Sequence, residues 1–172
     1  MFAKIQNQFD FGDFSPKQSK GKLFKQYGAI RYFQASNLPD EITKLTSVIN
    51  PDSVHWAEII NAKTISPHID HGITCALNFY VRSDNSITRF WRPKETAKAS
   101  TFKGQNTSNI FSFDDVEQVG EFKANDGDVY LLDVTCPHSV HLGNGWRTFI
   151  QMSWVQAEFN FIKDALVDYY QK

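Results

Sequence analysis

The sequence has 172 residues, 41% of them apolar and fifteen of them phenylalanine, which is the size of one ordinary domain with enough aromatic bulk for a real core. Its 18 basic and 19 acidic residues are spread along the chain and leave a formal charge of −1. That excludes a strong field for steering nucleic acid or an anionic membrane, and points instead to a small-molecule or peptide partner. Two cysteines, Cys75 and Cys136, are too few for a disulfide framework and form no paired CxxC zinc spacing. With no basic leader or signal-length apolar run in residues 1–13, and no stretch near the roughly 20 apolar residues of a bilayer span, the expectation is a cytoplasmic protein.

The first segment, 1–25, scatters Phe2, Phe9, Phe11 and Phe14 among Gly, Asp, Ser and Lys, and predicts an edge strand and loop wrapped on the core. The run NLPDEITKLTSVIN predicts a helix: Asn37 or Leu38 lies near the N-cap, Pro39 opens it, acids follow and Pro51 ends it. Ile42, Leu45 and Val48 or Ile49 give its buried stripe. After Pro51 the chain changes to short runs rich in Ile, Val, Thr, Phe, Tyr and Trp between Gly, Asn and Asp turns. Strands are expected at 55–62, 64–71, 74–81, 88–92, 118–124, 129–132, 139–142 and 147–155. That set suits a mainly β fold with flanking helices, a double-stranded β-helix, or cupin-like jelly roll. The stretch from Pro93 to Asn109 is poor in apolar residues, carries Lys94, Lys98, Lys103 and Gly104, and predicts a long mobile loop. Phe161, Ala165, Leu166 and Tyr169 recur at helical spacing and predict an amphipathic helix over 159–170, packed on the outer sheet. No internal repeat is seen, so one domain over 1–172 is expected, with its core at about 55–155.

Two clusters carry chemistry. In SPHIDHG, His68 and Asp70 are two apart, so in a strand their imidazole and carboxylate leave the same face as a chelating pair. Ile69 and His71 would occupy the other face, and a one-residue slip would exchange the sets. In CPHSVHLGNGWRTF, His138 stands just before a strand with Val140 on its face, and the Gly143–Gly145 turn to Arg147 reads as a hairpin. If the clusters meet inside the barrel, His68, Asp70 and His138 form a two-histidine, one-carboxylate facial triad that leaves three positions open on an octahedral metal. Two of those positions suit chelation of a keto acid and the third suits dioxygen. Arg147 then has a partner, because its planar guanidinium can clamp the distal carboxylate of 2-oxoglutarate through two parallel hydrogen bonds. Asn78 and Tyr80 are candidates for the neutral donors.

These residues resemble the 2-oxoglutarate and iron(II) dependent dioxygenases, whose metal motif is HxD followed at a distance by His. The resemblance spans about 55–154: PHIDHGITCALNFYV looks like the second and third core strands, GDVYLLD like the sixth and HSVHLGNGWRTFIQMSW like the last two. The spacing from His138 to Arg147 is similar to that in the prolyl hydroxylase branch. It implies iron(II) on His68, Asp70 and His138, and 2-oxoglutarate on Arg147, with Asn78 at a position that carries a hydroxyl donor in some relatives. Asp70 stands where halogenating members have a small residue, which implies hydroxylation of a peptide side chain, amino acid or small metabolite, using dioxygen and releasing succinate. The segment before His68 is short for the family. Arg89, Trp91 and the 93–109 loop are the expected places for substrate contacts.

Other readings stay open on the residues alone. His71 or His141 replaces a ligand if the register is shifted, and Cys136, His138 and His141 compose part of a zinc site that lacks a second Cys pair. A cupin-like module that binds metal or ligand without turnover is the main alternative, since the same fold hosts many functions. It gives Arg147 no task. A jelly-roll isomerase or hydrolase, with His71 as third histidine, is the remaining class. Trp56, Trp91 and Trp154 are expected to pack rather than bind.

Overall fold

The computed structural model describes residues 1–172 apart from 7, 13, 15–19, 28, 102–108 and 172. The strands are β1 (Phe2–Gln6), β2 (Lys20–Tyr27), β3 (Ile30–Ala35), β4 (Ser53–Ile60), β5 (Thr64–Ile69), β6 (Cys75–Arg82), β7 (Ile87–Pro93), β8 (Ser100–Thr101), β9 (Asn109–Ile110), β10 (Val116–Lys123), β11 (Val129–Asp133), β12 (His138–His141) and β13 (Trp146–Trp154). The helices are α1 (Asp40–Ile49) and α2 (Phe159–Tyr170). A seven-stranded sheet runs β1-β11-β6-β13-β4-β3-β2 and a six-stranded sheet runs β10-β7-β12-β5-β9-β8, with every pairing antiparallel. The eight expected strands form the heart of both sheets, each within two or three residues of its expected bounds. This is a cupin-like jelly roll, mainly β with flanking helices.

Period-two alternation sorts each strand of the large sheet between two cores. On β6, Cys75, Leu77 and Phe79 join an outer cluster with Trp56, Ile150, Met152 and Trp154, while Ala76 and Tyr80 join an inner cluster between the sheets. The outer cluster is covered by Ile42, Leu45 and Ile49 of α1, by Ile162 and Leu166 of α2, and by Phe9, Phe11 and Phe14. Val48 is 59% exposed, so Ile49 completes the stripe on α1. On α2, Phe161 is 71% exposed, and the buried face is made by Phe159, Ile162, Ala165, Leu166 and Tyr169.

Three further expectations are corrected. The first segment holds β1 on one sheet edge, as foreseen, but β2 and β3 extend the other edge, where no strand was expected. The 93–109 stretch is not all loop: β8 pairs with β9, and β9 pairs with β5 at His68↔Ile110, while Lys103 and Gly104 lie outside the described residues. The Gly143–Gly145 turn does not close a hairpin. β12 lies between β5 and β7 in one sheet and β13 between β4 and β6 in the other, so the turn is a crossover. Asp84 clamps it, accepting from the Asn144 backbone (2.7 Å), the Asn144 side chain (2.7 Å) and the Trp146 backbone (3.1 Å). Gly145 has φ +83 and an added Cβ would sit 3.1 Å from the Ala62 carbonyl oxygen, which makes glycine the residue for that bend.

Candidate metal and anion site

β5 and β12 bring the two sequence clusters together, with His68 opposite His138. The pairing shifts by one residue between His138 and Val140, which places Val140 opposite Ile65 rather than two residues from His68. This bulge turns Ile65 and His68 to the same inner face although they are three apart, and Asp70 follows just beyond the strand end. The imidazole centroids of His68 and His138 lie 4.4 Å apart. Asp70 Oδ1 is 3.5 Å from His68 Nε2, and Asp70 Oδ2 is 4.0 Å from His138 Nε2. One ligand atom from each of the three side chains lies within 4.8 Å of the others, the one such group among the described residues.

Both imidazoles are oriented by their own strands. His68 Nδ1 lies 2.8 Å from the Ser66 carbonyl oxygen and His138 Nδ1 lies 3.1 Å from that of Cys136. A carbonyl can only accept, so each Nδ1 carries the proton and each Nε2 lone pair is left for a cation. Burial and the adjacent His68 depress the His138 pKa to about 4, so its imidazole is neutral at neutral pH. For His68, burial acts downward, but the hydrogen bond and charge of Asp70 outweigh it and hold the pKa above the ordinary value. A cation at the shared point takes the place of that proton. Two neutral nitrogens and one carboxylate oxygen suit a ferrous ion.

His71 is exposed in the turn after β5, and His141 is on the opposite face of β12, its Nε2 3.1 Å from Ser139 Oγ. Neither joins the group, and the Cys136–His138–His141 zinc reading fails because His141 lies on the face of β12 opposite His138. Arg89 and Trp91 also point outward: the inward residues of β7 are Thr88 and Phe90, while Trp91 donates to Ser139 Oγ (2.9 Å) and Arg89 to Glu121 (3.0 Å). The expected substrate role for these two is therefore wrong at this site. The cause is register, since His138 pairs with Phe90. Trp56 and Trp154 are packed in the outer core as expected.

Arg147 enters the same interior from β13. Its side chain is 2% exposed, its Nη1 donates to Thr88 Oγ1 (3.1 Å) and its Nη2 donates to the Tyr80 hydroxyl. The guanidinium lies over the Tyr80 ring (4.4 Å) and the Phe149 ring (5.2 Å). Among the described residues no carboxylate pairs with it, and its Nε is buried without a partner. Burial lowers its pKa, yet guanidinium remains charged at any ordinary pH. Its charge acts on His138, so the guanidinium is felt at the His68, Asp70 and His138 group. Asn78 shares the inner face of β6 with Tyr80, and its buried Oδ1 also lacks a partner.

Sequence reasoning missed Thr88, Tyr32, His55 and Gln151. Gln151 follows Arg147 and Phe149 on the same strand face, and His55 is two residues from Ala57, so period two was a usable signal for both. Tyr32 had none, because β3 was not foreseen. Its ring stands 5.0 Å from His55, edge on, and burial together with the Asp70 charge raises its phenol pKa.

No protein-family model matches the sequence, and no curated protein does. Solved structures do. The fold is similar to ycfD of E. coli, with a TM-score of 0.54 and 12% identity over 99% of this chain and 53% of that one. Vicilin from Capsicum annuum matches at a TM-score of 0.45 and 15% identity, over 81% of this chain and 31% of its own. The chain thus spans about half the length of the first and a third of the second. The likeness to ycfD concerns architecture, and agrees with the sheet order in making this a cupin-like β fold.

Proposed function

We propose that the chain is a non-haem iron(II) and 2-oxoglutarate dependent dioxygenase that hydroxylates a peptide side chain, an amino acid or another small metabolite and releases succinate. One observation carries this reading beyond a bare metal-binding barrel. Arg147 is a fully buried cation with no carboxylate partner among the described residues, set in the interior that also holds two histidines and an aspartate. A buried, unpaired charge is expensive, so the fold keeps it for an anion that arrives from outside. A dicarboxylate that reaches both Arg147 and a metal ion fits that need, and 2-oxoglutarate has a distal carboxylate for the guanidinium and a keto acid for the metal.

His68, Asp70 and His138 would hold iron(II), which when bound supplies dioxygen activation and oxidation of a C–H bond. Arg147 neutralises the distal carboxylate. Tyr80, whose hydroxyl oxygen accepts from Arg147, still has its own proton to give to that carboxylate. Asn78 offers a neutral amide beside it. Asp70, as a third protein ligand, fits hydroxylation. Cys75 and Cys136 are both free, which suits a reducing compartment such as the cytoplasm. Among the described residues no helix is long and apolar enough to cross a membrane.

The test is an anaerobic titration with iron(II) and then 2-oxoglutarate, followed by the visible charge-transfer band of a chelated keto acid. The band should form in the wild type, vanish in His68→Ala and require far more co-substrate in Arg147→Ala. Bound metal without a band would leave the non-catalytic cupin-like module as the better account.

A further inference from the structure

The inner face of the large sheet carries a polar row that the metal and co-substrate do not use up. His55, Gln151 and Asn78 stand side by side on β4, β13 and β6, each 7% exposed or less. Strand direction sets its depth. β12 runs from His138 to His141, the crossover turns the chain, and β13 runs back, so Arg147 lies deep and Gln151 returns toward the end that holds His138. The row therefore lies on the metal side of Arg147, on the sheet face turned to the interior between the two sheets. Tyr32, which is influenced by the Asp70 charge and stands on His55, borders it.

The donors and acceptors of this row have a sense. Gln151 Oε1 lies 3.0 Å from His55 Nε2, so the imidazole donates and the amide is fixed with its nitrogen turned elsewhere. That nitrogen bonds no described side chain, and Asn78 Oδ1, one strand away, is buried without a partner. The row thus presents one unused donor and one unused acceptor on neighbouring strands, roughly 4.8 Å apart at the backbone. 2-Oxoglutarate at neutral pH is acceptor only, so it cannot satisfy Asn78 Oδ1. The two groups left to face a substrate, the Gln151 and Asn78 amides, carry no charge that would pair with a substrate carboxylate or ammonium. A carboxamide has the complementary pair, a carbonyl for Gln151 and an N–H for Asn78.

We propose, resting on the oxygenase reading, that Gln151, oriented by His55 and working beside Asn78, selects a substrate that presents a carboxamide next to the oxidised carbon. The amide is either a peptide bond or a side-chain amide, and the recognising chemistry is the same for both. A site built to bond such a group rejects an isostere that lacks it.

The experiment uses the full chain loaded with zinc and 2-oxoglutarate, with ligand-observed NMR titrations of N-methylpropionamide, propionamide, methyl propionate and propionate. At least one amide should bind about tenfold tighter than the ester and the acid, as expected for one well-made hydrogen bond. N-methylpropionamide in front indicates a peptide-bond substrate, and propionamide a side-chain amide. Gln151→Met should erase the preference while leaving the 2-oxoglutarate affinity within twofold. Gln151→Glu keeps the volume and the acceptor for His55 but removes the donor, and should behave the same way. Equal binding of all four probes to the wild type overturns the proposal, as does a preference that survives both variants or a tenfold loss of 2-oxoglutarate binding in Gln151→Met. Failure of the oxygenase reading is seen separately, as the missing charge-transfer band with iron. An amide preference lost in the variants would then still support the row as an amide site.

Discussion

The two faces of β13 differ in how completely their buried groups are satisfied. Outward, Ile150, Met152 and Trp154 join Leu77, Phe79 and Trp56 under the helices, and Trp154 Nε1 finds the Ile49 carbonyl oxygen (3.1 Å). Inward, Arg147, Gln151 and Ser153 alternate with them and are just as buried. The inner face leaves Arg147 Nε, Asn78 Oδ1 and Ser153 Oγ without partners, whereas Trp56 Nε1 is the outer face's one such atom among these residues. Each unpaired buried polar group costs about 1–3 kcal/mol. The outer face supplies the stability against which the inner one remains incompletely satisfied.

The comparison is broken most sharply at Arg147. Arg147→Met should weaken 2-oxoglutarate binding about a thousandfold, as for loss of a buried charge pair, while the melting temperature of the metal-free protein stays level or rises because an unpaired buried cation is gone. Calorimetric titration beside a thermal melt reads both. The outward counterpart, Leu77→Ala, should do the reverse: a loss of about 3 kcal/mol in denaturant unfolding with 2-oxoglutarate affinity unchanged.

A smaller effect separates the faces by pH. His138 has a folded pKa of about 4, below its ordinary 6.5, so the unfolded chain takes up the proton first on acidification. The stability this residue contributes is complete above pH 6.5 and falls as pH drops toward 4, by at most about 1.4 kcal/mol per unit. In the metal-free protein, unfolding free energies between those pH values should show a steeper slope in the wild type than in His138→Leu. Equal slopes would refute the assignment. Smallest of all, Tyr80→Phe should raise the 2-oxoglutarate dissociation constant about tenfold, one hydrogen bond to a carboxylate, without changing metal affinity.

Much of this was legible in the chain itself. Eight strands, both helices, the HxD pair and the downstream His138 and Arg147 could be read because alternation and residue chemistry are local properties. His68, Asp70 and His138 lie together in one group, and Arg147 enters the same interior from β13. What failed was non-local. The crossover at Gly143–Gly145 has the turn residues of a hairpin, and only the partners on each side, β5 and β7 against β4 and β6, decide that it changes sheets. Arg89 and Trp91 were misassigned because their face depends on which β7 residue meets His138.

The sequence by itself determined the side-chain chemistry of His68, Asp70, His138 and Arg147, their order along the chain and the period-two faces of β4, β6 and β13, since these follow from covalent geometry and side-chain chemistry. The tertiary structure decided the rest. The bulge in β5 sets which residues beside His68 face inward, and β3 brings Tyr32 beside His55. Burial leaves Arg147 without a counter-charge and depresses His138. Each of these arises from strands far apart in sequence lying about one hydrogen-bond spacing from one another, and no local pattern encodes which strand that neighbour will be.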